Sequence, residues 1–337
     1  MDISSRYHAL ITPSYPWFDA QWGRVTTLFK EEKLPHALLI NGAKGMGKLH
    51  FASNIAKLVL CQDSANNTAC GQCKSCQLFV SSGHPDLYHL SPEDDNGQIK
   101  VDQVRDLSHF MHSTAQQGGY RVVILNPAEA MNPSAANALL KTLEEPGKKS
   151  LLLLLADQLG QVMPTIKSRC QRIDCPVPDE RVAIDWLQKK LPIEEVDARQ
   201  LLSVVHGSPL LALTFKERGN QSLRAEFING LKNILQQKAT AIETAAKYIK
   251  VDIILLLSWM QSLLIDVAKI HSTQNQASLT NNDVRKMLGA LSKRSDLPAL
   301  YLLYDKVQCH RQALLAHQNP NKQLLLEDLL LDWKNLI

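Results

Sequence analysis

Four cysteines in the first third of the chain have the spacing of a metal-binding site. They follow the pattern C-x8-C-x2-C-x2-C, at Cys61, Cys70, Cys73 and Cys76. Four thiolates suit tetrahedral Zn²⁺, and two C-x2-C steps close tight turns around one ion. Because four sulfur ligands leave no position for water, we predict a structural zinc site rather than a catalytic one. The alternatives are four unrelated thiols or an iron–sulfur cluster, although nothing else in the sequence indicates redox chemistry.

The stretch NGAKGMGKLH is close to a phosphate-binding loop. The glycines and the lysine of such a loop are present, at Gly42, Gly45, Gly47 and Lys48. The next residue, Leu49, lacks the hydroxyl that would ligate Mg²⁺ in an active loop. Two interpretations stay open: the glycines only make a tight strand-to-helix turn, or Lys48 still supports weak binding of ATP or ADP.

A second part of the hydrolytic machinery is also changed. In an active enzyme, acidic residues at the end of a second strand hold Mg²⁺ and activate a water. Here that strand is RVVIL, and Asn126 and Pro127 follow it, with Glu129 two positions late. A neutral amide binds a hard cation weakly, and proline cannot orient a water. With Leu49, three positions are altered, so we predict no intrinsic ATPase.

The segment PTIKSRC offers a single cation near the end of the same region. Arg169 carries a permanent positive charge between Ser168 and Cys170. An arginine can act on the nucleotide of a neighbouring subunit, where it is worth about 10³–10⁵ in rate. An ordinary ion pair is the alternative interpretation of this arginine.

The elements that would position these residues alternate between strands and helices. Apolar runs predict strands at HALLI, DLYHL, RVVIL, SLLLLLA and QRIDC, and helical spacing predicts helices between them. This alternation predicts a parallel α/β domain over residues 1–175. After residue 175 the strand signal disappears, and the remainder reads as short helices followed, from about residue 220, by long ones.

Composition places the chain among ordinary globular proteins. It has 337 residues, of which 45% are hydrophobic and 21% charged, and its net charge of +4 is too small to argue for nucleic-acid binding by itself. Seven cysteines, an odd number, argue against a disulfide framework. The first ten residues lack a signal-peptide pattern, and VDIILLLSWMQSLLIDVAKI is interrupted by polar residues, so it predicts a buried helix. We therefore predict a cytoplasmic protein without a membrane partner.

The ordered set of motifs resembles a known family. The phosphate-loop remnant, the cysteine pattern, HPDLYHL, KVDQVRDL, NALLKTLEEP and SRC occur in the order found in bacterial clamp-loader proteins. The chain resembles the subunits of the DNA polymerase III clamp loader, which are AAA+ proteins. The gamma/tau motor subunit has an intact phosphate loop and acidic residues after its second strand. Leu49, Asn126 and Pro127 therefore make this chain similar to the non-hydrolysing member, although it keeps Lys48.

This resemblance implies a domain organisation and a set of partners. It implies an AAA+ module over residues 1–175 with the zinc module at 61–76, a helical lid at 176–218 and a helical collar at 219–337. The collar would hold a hetero-pentamer of delta, three gamma/tau copies and this stator. The assembly, part of the DNA polymerase (nucleotidyltransferase) holoenzyme, would load the sliding clamp onto primed DNA during replication.

The resemblance also implies roles for individual residues. Arg169 would project into the ATP site of the adjacent gamma/tau subunit as an arginine finger, positioned by Ser168 and Cys170. Lys100, at the start of KVDQVRDL, would contact a DNA phosphate, with a solvated lysine as the alternative.

Two other functions remain as hypotheses. The first is an ATP-hydrolysing, gamma/tau-like motor subunit with compensated metal ligation. The second is a zinc-dependent nucleic-acid-binding module outside any ring, which the modest net charge disfavours.

Overall fold

The computed structural model describes residues 14–64, 68–94, 97–273, 279–315, 318 and 320–337. The first ten residues, for which the sequence predicts no signal peptide, lie outside this part. The chain forms two compact units. The first consists of Met1–Ala183 with Ser208–Leu211, and the second of Ile184–Gly207 with Ala212–Ile337. The division of the helical remainder into a lid and a collar stays a prediction.

A five-stranded parallel sheet forms the centre of the first unit. The strands are β1 (Ala37–Asn41), β2 (Leu87–Leu90), β3 (Arg121–Leu125), β4 (Ser150–Ala156) and β5 (Gln171–Asp174). Their spatial order is β2-β3-β4-β1-β5, and every neighbouring pair is parallel. Every residue of β3 and β4 is buried, as expected for continuous apolar strands covered on both faces. The five strands predicted from the sequence are confirmed.

Helices cover this sheet. They are α1 (Asp19–Lys30), α2 (Lys48–Leu60), α3 (Lys74–Val80), α4 (Val101–His112), α5 (Pro133–Glu144) and α6 (Pro164–Lys167). The apolar stripes of α4 and α5 enter one core with the sheet, in which Leu107, Leu139 and Leu154 are fully buried. Helix α5 begins at an N-cap, because Oδ1 of Asn132 accepts a hydrogen bond from the backbone N–H of Ala135 at 2.8 Å. The cap fixes the beginning of α5, and packing against the sheet buries its apolar side.

In the part of the chain that the structure describes after the sheet, nine α-helices follow. They are α7 (Glu180–Lys190), α8 (Glu195–Val204), α9 (Pro209–Glu217), α10 (Asn220–Leu235), α11 (Ala241–Lys247), α12 (Ile253–Thr273), α13 (Arg285–Ser292), α14 (Leu297–Leu315) and α15 (Lys322–Lys334). In the core of the second unit, Phe227 packs against Trp259, with 6.1 Å between ring centroids. The fully buried Trp333 donates from Nε1 to the carbonyl of Leu231 at 3.3 Å. The predicted change from an α/β region to an all-helical one is confirmed.

Helix α12 is the apolar segment that the sequence predicts to be buried. By length and composition alone it could cross a membrane, and 56% of its most apolar window is buried inside the protein. The core helix of a globular protein meets the same criteria, so this helix is weak evidence for a membrane span. Asp266 within it is fully buried and accepts from the backbone N–H of Asn281 at 2.7 Å. These contacts make α12 part of a protein interior.

Candidate functional site

The four predicted cysteines come together in one cluster. Their sulfur atoms all lie within 4.8 Å of one another. The separations are 3.6 Å for Cys61–Cys70, 3.9 Å for Cys61–Cys73 and 4.0 Å for Cys70–Cys76. A tetrahedron with metal–sulfur bonds of about 2.3 Å has edges of about 3.8 Å. The donor set therefore fits one tetrahedral metal ion such as Zn²⁺.

Backbone amides point at these sulfurs. Cys70 Sγ accepts from the N–H groups of Gln72 at 3.4 Å and Cys73 at 3.3 Å, and Cys73 Sγ accepts from that of Cys76 at 3.5 Å. Burial tends to raise the pKa of Cys73, but hydrogen bonds from the backbone and from neighbouring thiols lower it to about 6. Such N–H groups stabilise thiolates, which are the form that binds a metal.

A buried hydrogen-bonded chain connects the cluster to the sheet. Ser75 Oγ lies 2.5 Å from the Leu60 carbonyl and 2.7 Å from His84 Nε2, and His84 Nδ1 accepts from the backbone N–H of Asp86 at 3.1 Å. Burial lowers the pKa of His84, which favours the neutral ring that this pattern needs. Ser75 and Leu60 are each adjacent to a cluster cysteine. His84, outside the sulfur set, therefore supports the cluster through second-layer contacts.

The glycine loop has the turn that its sequence predicts. Gly45 and Gly47 have φ angles of +81° and +91°, and α2 begins directly after Gly47. A side chain at these positions would be strained in that backbone conformation. The loop therefore joins β1 to α2 as a phosphate loop does.

The Lys48 side chain points into the glycine loop that contains it. Its Nζ donates to the carbonyls of Gly42 at 2.7 Å and Ala43 at 2.9 Å, and to Oδ1 of Asp157 at 2.5 Å. The side chain is only 6% exposed. An ammonium group has three N–H donors, and these three acceptors use all of them. Lys48 is thus an internal ion-pair and hydrogen-bond partner of the loop, and no motif in the sequence indicates its partner Asp157.

Other side chains of the same unit pack against the loop glycines. A Cβ atom placed at Gly45 would collide with the Leu211 side chain, and one at Gly47 would lie 2.5 Å from the Tyr15 ring. The N–H of Leu210 also donates to the Gly45 carbonyl at 3.2 Å. Tyr15, itself stacked on Trp17 at 4.8 Å, and the 208–211 segment therefore contact the loop where its glycines lie. Nothing in the local sequence indicated this packing.

Glu129, which follows β3 two positions later than the expected glutamate, accepts hydrogen bonds from the backbone after β4. Its Oε1 accepts from the backbone N–H groups of Asp157 at 2.8 Å and Gln158 at 3.0 Å. Burial raises its pKa. Glu129 thereby holds the end of β4, the same place from which Asp157 reaches Lys48.

Arg169 lies at the surface of the first unit in contact with α5. Its Nε and Nη2 both donate to Oε1 of Glu144, at 3.0 Å and 2.6 Å, and its Nη1 donates to the Thr165 carbonyl at 3.1 Å. The side chain is 36% exposed and that of Glu144 is 52% exposed. The guanidinium is therefore held by one carboxylate yet remains accessible to solvent.

Lys100 directly precedes α4 and is also exposed. Its Nζ lies 3.3 Å from Oε2 of Glu93, and both side chains are about two-thirds exposed, at 66% and 67%. An exposed pair of this kind contributes little to stability. The backbone N–H of Lys100 donates to Oε1 of Gln103 at 2.9 Å, at the start of α4.

Comparisons with known proteins identify the relatives of this chain. Residues 19–179 match the family described as "DNA polymerase III, delta subunit", and residues 219–335 match its C-terminal counterpart. The chain is 40% identical over 323 residues to DNA polymerase III subunit delta′ of Pseudomonas aeruginosa, covering 96% of this chain and 98% of that protein. It is 33% identical to the subunit of the same name from Haemophilus influenzae, over 94% and 96% of the two chains.

A more distant relative carries a different name. DNA polymerase III subunit tau of Bacillus subtilis is 26% identical over 302 residues, which is 90% of this chain and 49% of that protein.

Proposed function

Because this chain belongs to the DNA polymerase III subunit delta′ family of clamp-loader components, we propose that it is the non-hydrolysing stator of such a loader. In this role it assembles with delta and gamma/tau subunits, supplies an arginine finger in trans, and helps place the sliding clamp on primed DNA. The observation that carries the proposal is the inward position of Lys48. The lysine that would reach a nucleotide phosphate instead pairs with Asp157 and two loop carbonyls.

The rest of the loop supports the absence of hydrolysis. Leu49 offers no hydroxyl to Mg²⁺, and Asn126 and Pro127 replace the acids expected after the second strand. Tyr15 and Leu211 pack on the glycines that would otherwise cradle phosphates. Binding of ATP or ADP at Gly42, Gly45, Gly47 and Lys48 would therefore require displacement of these contacts.

The finger role rests on the position of Arg169. A transferring phosphoryl group develops charge that an added guanidinium stabilises, and an accessible arginine on one subunit can reach a site on another. Arg169 is exposed and is held in place by a single carboxylate and one carbonyl. It is therefore suited to a nucleotide that a neighbouring gamma/tau subunit holds.

Other residues of the chain would bind a metal ion, DNA and the partner subunits. One Zn²⁺ held by the four cysteines would fix the segment between α2 and α3, with no part in chemistry. Lys100, at the beginning of α4, would contact a phosphate of primed DNA within the ring. The helical remainder would supply a lid at 176–218 and a collar at 219–337 that joins five subunits. The assembly would act in the cytoplasm.

Reconstitution with delta and gamma/tau tests the proposal. The chain is expected to co-purify with both, and Arg169→Ala is expected to leave assembly intact while lowering turnover at the one adjacent gamma/tau site by about 10³-fold or more. Since that is one of three gamma/tau sites, the total DNA-stimulated ATPase should fall by about a third, or by more where the sites are coupled. Arg172→Ala is the matched control, since Arg172 is an exposed arginine on β5 whose side chain pairs with Asp174. Equal turnover of the native and Arg169→Ala assemblies would remove the finger.

The tau relative keeps a motor subunit as the second candidate, because it aligns with most of this chain. A motor would hydrolyse ATP when purified alone, and Lys48→Ala would abolish that activity. We expect the isolated chain to show no such Lys48-dependent turnover.

A further inference from the structure

We propose that Glu144 is a positioning residue that sets the direction of the Arg169 guanidinium toward the neighbouring nucleotide. This inference rests on the finger role proposed above. The two residues lie 25 positions apart, on different elements of the first unit. Formation of α5 does not require the ion pair between Glu144 and Arg169, so this contact points to a separate role for Glu144.

The backbones of both residues are held by the core. Glu144 is the last residue of α5, directly after Leu143, which is 3% exposed. Arg169 follows α6, in which Ile166 is 1% exposed. The two side chains therefore extend from fixed points, and their mutual contact decides the orientation of the longer one.

The hydrogen bonds define which edge of the guanidinium is anchored. Nε and Nη2 form one edge of the planar group, and both donate to the same oxygen, Oε1 of Glu144. Nη1 donates to the Thr165 carbonyl at 3.1 Å, and a longer contact of 3.5 Å joins it to Ser168 Oγ. Nη1 and Nη2 carry two N–H donors each. After the bonds to Glu144 and Thr165, one N–H of Nη2 remains and one of Nη1 makes only the 3.5 Å contact with Ser168, so these two can turn to an incoming oxygen. The Nη end therefore presents parallel donors of the kind that suit phosphate oxygens.

The charges of the two residues favour an ion pair that orients the Arg169 guanidinium and still leaves it able to bind a phosphate. A carboxylate at the C-terminal end of a helix is unfavourable beside the negative end of the helix dipole, so Glu144 gains from a cationic partner. Because the two side chains are 36% and 52% exposed, water screens the pair and Arg169 is not withdrawn from solvent. A fully buried pair would instead compete strongly with a phosphate.

The test uses the reconstituted assembly with delta and gamma/tau. Glu144→Gln is expected to lower turnover at the adjacent gamma/tau site about fivefold, which corresponds to about 1 kcal/mol, with little change in the KM for ATP. The kcat of the whole assembly should fall by only part of the loss that Arg169→Ala causes. Glu145→Gln is the matched control, because it removes the same charge from the adjacent exposed position. Glu144→Asp keeps the charge with a shorter reach and should recover part of the loss. Thermal melting of each isolated chain should stay within about 2 °C of the native value.

A double variant separates positioning from a general effect on structure. In an Arg169→Ala background, Glu144→Gln should have no further effect, because its action passes through the arginine. If Glu144→Gln leaves kcat unchanged while Arg169→Ala lowers it, the positioning role is overturned and the finger stands. An equal loss with and without Arg169 also overturns the positioning role. If Arg169→Ala has no effect, the finger and the positioning role both fall.

Discussion

Replacement of Lys48 by methionine is expected to destabilise this chain in the absence of any nucleotide. In an active phosphate loop the lysine serves the ligand, so its loss would leave the free protein largely unaffected. Here its Nζ donates to Oδ1 of Asp157 at 2.5 Å and to two carbonyls at 2.7 Å and 2.9 Å. Methionine keeps the apolar stem but removes all three donors, so the acceptors are left without their cation.

The hydrogen bonds of Lys48 and the burial of the two side chains set the size of the expected loss of stability. A hydrogen bond to a charged group contributes about 1.5–3 kcal/mol, and loss of a fully buried pair costs about 3–5 kcal/mol. Lys48 is 6% exposed, but Asp157 is 32% exposed and can be rehydrated after the substitution. We therefore expect a loss of about 2–3 kcal/mol, or about 5–10 °C in the melting temperature of the first unit.

Urea denaturation followed by circular dichroism measures this loss, with unchanged m-values showing that the same unit unfolds. Lys44→Met is the matched control, because Lys44 is an exposed lysine in the same loop. In the background of Asp157→Asn, the effect of Lys48→Met should shrink, since the strongest partner has already gone. Equal stability of Lys48→Met and the native chain would refute the reasoning. A stabilisation by Mg²⁺-ATP that only the native chain shows would instead contradict the proposal that Lys48 no longer serves a nucleotide.

Two further predictions concern the metal and the response to pH. Purified protein should contain about one zinc per chain, and Cys73→Ser should remove the zinc and lower the melting temperature. Cys170→Ser is the control, because Cys170 lies outside the cluster and this variant should keep the zinc. Full metal content in Cys73→Ser would contradict the four-sulfur site. Burial lowers the pKa of His89 on β2 from 6.5 to about 4, so the folded state binds fewer protons than the unfolded state between these values. The contribution of His89 to the unfolding free energy is therefore fully present above pH 6.5 and is lost on acidification toward pH 4, by at most about 3 kcal/mol. His89→Gln should flatten the dependence of the unfolding free energy on pH in this window. An unchanged slope would show that another group is responsible.

The sequence predicted those parts of the fold that depend on local pattern. Continuous apolar runs such as SLLLLLA predicted buried parallel strands because a strand covered on both faces has no polar side to alternate with. The cysteine spacing predicted the metal cluster because its ligands lie within sixteen positions of chain, between Cys61 and Cys76. Changes at Leu49 and Asn126 could be recognised because each motif has a fixed order of residue types.

Contacts between distant segments were not predictable in the same way. Asp157 is 109 positions from Lys48, and an aspartate after a strand has many possible partners. The pairing of Arg169 with Glu144 depends on where α5 ends relative to α6, which no periodicity specifies. Tyr15 and Leu211 reach the glycine loop from parts of the chain nearly 200 positions apart, and only the folded backbone brings them together.

The contacts of Tyr15 and Leu211 with the loop have a consequence for how this motif persists. Gly45 and Gly47 are required by their backbone angles and by the side chains packed on them, whether or not a phosphate ever binds. Selection for correct folding is therefore sufficient to preserve the glycine signature even in a chain that does not hydrolyse ATP. For the same reason, Leu49→Thr and Asn126→Asp would leave these contacts in place, with Tyr15 and Leu211 still packed on the glycines and Lys48 still paired with Asp157.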